Sequence, residues 1–132
     1  MNLISTKAHG IMDYVMGLFL VACPWIFNLD IHSAEGMVPM AIGGVSILYS
    51  LITNYELGAV KGISMRAHLW MDELAGFFLA ISPWLFNFDE RVYLPHLILG
   101  IAEFGLAFMT QTQSYTARHH HRRSVASVHH AH

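Results

Sequence analysis

"CPWIFNLD", residues 23–30, returns 59 positions later as "SPWLFNFDE", residues 82–90, with proline, tryptophan, phenylalanine, asparagine and aspartate in the same order. Extending the comparison backward, residues 9–30 and 68–89 share 11 identities in 22 positions: His, Met, Asp, Gly, Phe, Leu, Pro, Trp, Phe, Asn and Asp. Agreement of that density over the length of one helix marks an internal duplication, and a duplication constrains the fold before any local propensity does. Each copy places one apolar run before the phrase and another after it. The repeating unit is therefore a helical hairpin.

Composition says where such hairpins belong. With 55% hydrophobic and only 12% charged residues, the chain is too apolar for a water-soluble domain of 132 residues and falls in the bilayer class. Four stretches approach the roughly 20 residues that a membrane-crossing helix needs, at about Gly10 to Phe27, Met37 to Tyr55, Ala67 to Phe86 and Val92 to Gln111. Lipid gives the backbone no hydrogen-bond partners, so these stretches are expected as helices. Short connections, Asn28 to Gly36 and Asn87 to Arg91, close the hairpins, and Glu56 to Arg66 joins them.

The expected fold is thus an all-α membrane protein: four transmembrane helices as two tandem two-helix repeats, residues 1–60 and 61–113, followed by a His/Arg-rich tail at 114–132. Both copies have the same topology, so they are expected to be related by a pseudo-twofold axis along the membrane normal. The second helices align more weakly, through Pro39 with Pro95, Ile42 with Ile98 and Gly44 with Gly100.

Basic residues set the orientation. Lys7, Lys61, Arg66, Arg118, Arg122 and Arg123 fall on the side of both termini and the central loop, and only Arg91 falls on the other, where Asp30, Glu35, Asp89 and Glu90 also lie. The positive-inside rule then puts both termini in the cytoplasm of a bacterial-type inner membrane. Trp25, Trp84 and Tyr93 would mark the outer interface, and Tyr14, Tyr55 and Trp70 the inner one. "LVAC" at Leu20 to Cys23 raises a competing reading as a lipoprotein signal. Asp13 within the apolar region, Pro24 directly after the cysteine, and Ser82 at the matching place of the second copy all argue against it.

The repeated phrase resembles the SPW-repeat family of small integral membrane proteins, named for a Ser-Pro-Trp triplet in the first helix of each repeat. Ser82-Pro83-Trp84 matches outright, Cys23-Pro24-Trp25 matches with cysteine for serine, and the resemblance covers residues from about 8 to 110. It implies two repeats and four helices, and no activity. The residues themselves suggest a device for leaving the membrane. Pro24 and Pro83 remove a backbone donor near the helix end, Ser82 can satisfy a carbonyl so freed, Trp25 and Trp84 anchor at the headgroups, and Asn28 and Asn87 tolerate a left-handed turn.

The other half of each first helix carries the ionisable residues. His9, Asp13 and Gly17 recur as His68, Asp72 and Gly76, a spacing of four that puts all three on one face. Gly76 and Ala80 form a small-xxx-small pair; Gly43, Ser46 and Ser50 in the second helix, and His96, Gly100, Glu103 and Ala107 in the fourth, continue a polar or small seam. A carboxylate at such depth usually finds a partner. The plainest expectation is that His9 bonds Asp13, His68 bonds Asp72, and the two clusters lock the repeats together, with Glu103 protonated or bonded to one histidine.

Two sharper readings use the same seam. His9 and His68 with the carboxylates could ligate a metal, or the two histidines could hold a haem. Alternatively His96, Glu103 and the His-Asp pairs could pass protons. His119, His120 and His121 belong to a tail with six of the ten histidines, which would bind metal loosely or simply meet water and anionic headgroups. No dinucleotide glycine pattern, phosphate loop, HExxH or paired CxxC occurs in the sequence. The expectation is therefore a non-enzymatic accessory or scaffold subunit without a dedicated cofactor, its partners the bilayer and another membrane protein or further copies of itself, and not nucleic acid. The alternative is a metal- or haem-binding or proton-conducting membrane protein.

Overall fold

A computed structural model describes residues 3–110 and 112. Four helices follow one another: α1, Thr6–Ile26; α2, Ala34–Leu51; α3, Met65–Leu85; and α4, Leu94–Phe108. No strand occurs among the described residues. α1 lies against α2 and α3 against α4, and the two hairpins meet chiefly along α2 and α3.

The helices start where small hydroxyl residues cap them. Ser5 Oγ accepts the Ala8 amide and Ser64 Oγ the Ala67 amide, each at 3.2 Å, satisfying one donor of the first turn. α1 and α3 therefore begin two to four residues before hydropathy alone places them, because Lys7 and Arg66 sit in polar but helical first turns. α4 is shorter than expected at 15 residues, about 22 Å of rise. By length and composition, Thr6–Ile26 and Ala34–Leu51 can cross a membrane. α3 matches them in length but carries Arg66, Asp72 and Glu73.

At the other end Pro24 and Pro83 do not stop their helices, which run two residues further to Ile26 and Leu85. The stop comes at Asn28 and Asn87, with φ of 53° and 57°. The next amides, Leu29 and Phe88, turn back to the carbonyls of Pro24 and Pro83 at 2.7 and 2.8 Å, the long closing bond of a left-handed helix cap. Pro83 lacks the amide that would reach Leu79, and Ser82 Oγ donates to that same carbonyl at 2.7 Å. Ser82→Ala should consequently cost about 1 kcal/mol of stability, read from thermal unfolding. Cys23→Ser, which gives α1 the same hydroxyl, should be neutral or stabilising.

Glycines set how closely each hairpin closes. A Cβ on Gly43 would lie 2.6 Å from the Gly17 carbonyl oxygen, and one on Gly100 would lie 2.5 Å from that of Gly76. These are backbone-to-backbone crossings, so nothing larger than hydrogen fits. They also correct the register of the second helices by one residue: Gly43 corresponds to Gly100, whereas nothing lies within 4 Å of a Cβ on Gly44.

Matched contacts tie the chain's start and its centre to helix ends. Leu3 and Ile4 amides donate to the Met109 carbonyl at 2.9 and 3.0 Å, and Gly62 and Ile63 amides to the Ile52 carbonyl at 3.0 and 2.7 Å. Isolated bridges form there, Ile4 with Thr110 and Thr53 with Ile63. Residues 53–64 fold over the bundle end. Tyr55, expected at an interface, is 1% exposed and packs with Met65, Leu69 and Ala107. Tyr14 donates to the Leu57 carbonyl at 2.9 Å, Thr6 Oγ1 to Glu56 at 2.7 Å, and Lys61 Nζ to the Tyr55 carbonyl.

Candidate functional site

Beneath that cover sit His9, Asp13, His68 and Asp72, all buried. Spacing of four stacks each histidine above its own aspartate, at 3.0 Å in both helices. The shorter contacts run between the helices: His9 Nε2 to Asp72 Oδ2 at 2.8 Å, and His68 Nε2 to Asp13 Oδ2 at 2.7 Å. Both nitrogens thus touch both carboxylates, and the four side chains form one closed quartet rather than two separate pairs. The exchange is between repeats, so neither hairpin contains a complete set.

The outer nitrogens are held as firmly. His9 Nδ1 lies 2.8 Å from Thr110 Oγ1, and His68 Nδ1 lies 2.8 Å from Thr53 Oγ1. Each threonine hydroxyl has one proton, and each gives it to a helix carbonyl, Leu106 at 2.6 Å and Tyr49 at 2.5 Å. A carbonyl can only accept. The threonine oxygens must therefore accept from the imidazoles, which places a proton on Nδ1 of both rings and turns both Nε2 atoms to the carboxylates. Tyr49 donates its hydroxyl to Asp72 Oδ1, and Ser50 Oγ approaches Asp13 Oδ2 at 3.4 Å.

Thr53, Thr110 and Tyr49 did not stand out in the sequence. Thr53 and Thr110 are 57 positions apart, the same offset as Gly43 and Gly100, and that offset was the available signal.

The remaining seam residues lie apart from the quartet. Glu103 is buried, and its Oε2 has no hydrogen-bond partner among the described residues. It lies outside the group of four whose ligand atoms come within 4.8 Å of one another. His96 donates Nε2 to the Glu35 carbonyl at 2.8 Å and rests against Phe88, with ring centroids 4.9 Å apart. His96 and Glu103 are seven residues apart on α4, about 10 Å of rise, so no direct hydrogen bond joins them. The His9 and His68 rings meet edge to face at 5.5 Å with both carboxylates against their Nε2 atoms, which leaves no slot for a porphyrin plane between them.

Glu35 is not a loop charge. It lies in the first turn of α2, 2% exposed, where it accepts from the Asp30 amide at 2.7 Å and from Arg91 at 3.1 Å. Arg91, the one lysine or arginine at that end among the described residues, is thereby explained as a tie between the hairpins. The ion pair is half open, since the Arg91 side chain is 69% exposed, so it contributes modestly.

Trp25, Trp84 and Tyr93 are exposed at the proline end, and Trp84 and Tyr93 rings lie 5.7 Å apart. His119, His120 and His121 lie outside the described residues.

No curated protein and no solved structure matches the chain. One family does, described as the SPW repeat domain, over residues 7–110. That span holds both proline-tryptophan phrases, the four helices but for Thr6 at the start of α1, and the whole quartet, and the chain belongs to the SPW repeat domain family.

Proposed function

We propose that the chain is a four-span integral membrane protein that serves as a non-enzymatic accessory or scaffold subunit of a membrane complex or of its own oligomer. The observation that carries this reading is the distribution of side chains. His9, Asp13, Glu35, His68, Asp72, His96 and Glu103 are buried, while Val15, Leu18, Leu48, Trp70, Leu74, Phe77, Ile101 and Phe108 are more than half exposed around the perimeter. A water-soluble protein does the reverse, and an apolar belt of this extent needs lipid or protein against it.

In this reading, repeats 1–60 and 61–113 stand about an axis along the membrane normal, both termini are cytoplasmic, and the tail at 114–132 meets water and headgroups. The quartet clamps the repeats together. An apolar groove between α2 and α3, about 340 Å³ and lined by Met37, Ala41, Ile42, Phe78 and Phe86, is a seat on that belt for an acyl chain or a neighbouring helix. Native mass spectrometry in mild detergent tests the assignment. A dimer, a larger oligomer or a stoichiometric membrane-protein complex is expected; a strictly monomeric species without a partner would overturn it.

A further inference from the structure

The geometry points to a second property of the quartet: His9, Asp13, His68 and Asp72 form a binding site for one divalent transition-metal cation, through two imidazole Nε2 atoms and two carboxylate oxygens. The first support is the donor set. Two nitrogens and two oxygens, all buried and all within 4.8 Å of one another, match the borderline ligands and low coordination number that zinc and cobalt accept. Magnesium and calcium want six or more oxygens and find too few here.

The second support is independent of the donors. Thr110 and Thr53 hold the Nδ1 protons of His9 and His68, having given their own protons to the Leu106 and Tyr49 carbonyls. That arrangement commits Nδ1 and leaves Nε2 as the nitrogen that would ligate once its proton is displaced, and it is the outer hydrogen bond that metal-bound histidines use to fix ring orientation. Tyr49 likewise occupies Asp72 Oδ1 and leaves Oδ2 toward the histidines, which favours a single ligating oxygen from Asp72.

Charge decides the valence. Without an ion, the Nε2–carboxylate contacts of 2.7–3.0 Å carry a proton on each Nε2, so two imidazolium rings offset two carboxylates, and a divalent cation would replace those two protons with no change in net charge. With both imidazoles neutral and both aspartates ionised, a divalent cation makes the buried site neutral. A monovalent or trivalent ion leaves a net charge where burial makes it costly. Tetrahedral bonds of 2.0–2.1 Å set the ligand atoms about 3.3 Å apart, a spacing between the 2.7–3.0 Å of the present nitrogen–oxygen contacts and the 4.8 Å that bounds the whole set. The inference does not depend on how the perimeter is used, since a monomer would bind the ion equally well.

Cobalt(II) is the probe, because a four-coordinate site gives it visible ligand-field bands. Purified full-length protein, stripped with chelator and equilibrated with cobalt(II), should bind one ion per chain with such bands, and zinc should displace it. The bands should survive replacement of His119, His120 and His121 by alanine, which removes the triplet of tail histidines, and should be lost in Asp72→Asn. Should Asp72→Asn fail to fold, Thr110→Val keeps all four ligands and should weaken binding by about 10- to 100-fold. No visible bands with the unaltered chain, bands that vanish with the tail histidines, or binding unchanged in Asp72→Asn or Thr110→Val would each overturn the site.

Discussion

Asp72→Ala is expected to lower the stability of the folded chain by about 3–5 kcal/mol, measured as a shift in the unfolding transition in detergent. A single interhelical hydrogen bond in a membrane protein is worth far less, about 0.6 kcal/mol on average. The larger figure follows from what is left behind. Asp72 meets His9 Nε2 at 2.8 Å, His68 Nε2 at 3.0 Å and the Tyr49 hydroxyl, and all three groups are buried. Removing the carboxylate leaves two imidazoles competing for Asp13 and a phenol with no acceptor. Asp13→Ala should cost a similar amount, because Asp13 also touches both rings, at 3.0 and 2.7 Å. The double variant should cost less than the sum, since the two carboxylates share their partners. A loss below about 1 kcal/mol for Asp72→Ala would remove the quartet from its place as the clamp between hairpins.

Much of this site was visible in the sequence, and its limits have physical causes. The i, i+4 spacing of His9 with Asp13 and His68 with Asp72 guarantees that each pair shares a helix face. It does not say which carboxylate a ring prefers, because that depends on how α1 and α3 approach each other, and the cross-helix distances proved shorter. Thr53 and Thr110 escaped notice because both fell inside the expected spans Met37 to Tyr55 and Val92 to Gln111, where a lone threonine gives no sign of the imidazole it meets until the other hairpin is placed. Glu35 was assigned to a loop for the same reason: a charge near a helix start gives no sign of being buried unless its partner, Arg91 from the other hairpin, is already placed. Helix starts at Thr6 and Met65 were marked by the capping residues Ser5 and Ser64, a signal that hydropathy ignores. Tyr55 looked like an interfacial aromatic, and only the folding of residues 53–64 back over the bundle makes it core.

Gly100→Leu should force the two helices of the second hairpin apart, and Gly44→Ala, on the same fold, should be harmless. A Cβ on Gly100 would stand 2.5 Å from both the Ala80 nitrogen and the Gly76 oxygen, and one on Gly76 would stand 2.7 Å from the Gly100 oxygen. Those obstacles are backbone atoms within helices, so no rotamer relieves them, and α3 and α4 must move apart along their length. Overpacking of this kind costs about 1–3 kcal/mol, and leucine adds branches that the closed crossing has no room for. Gly43→Leu meets the Gly17 oxygen at 2.6 Å and should act the same way on the first hairpin. Gly44 and Gly105 face open space within 4 Å, so alanine there should leave the stability unchanged or raise it by up to about 1 kcal/mol through helix propensity. The contrast between adjacent positions 43 and 44 also reports on the perimeter. Should Gly44→Ala destabilise the isolated chain, the register of α2 against α1 is wrong; should it leave the chain intact but dissociate an oligomer, Gly44 lies where a second copy sits.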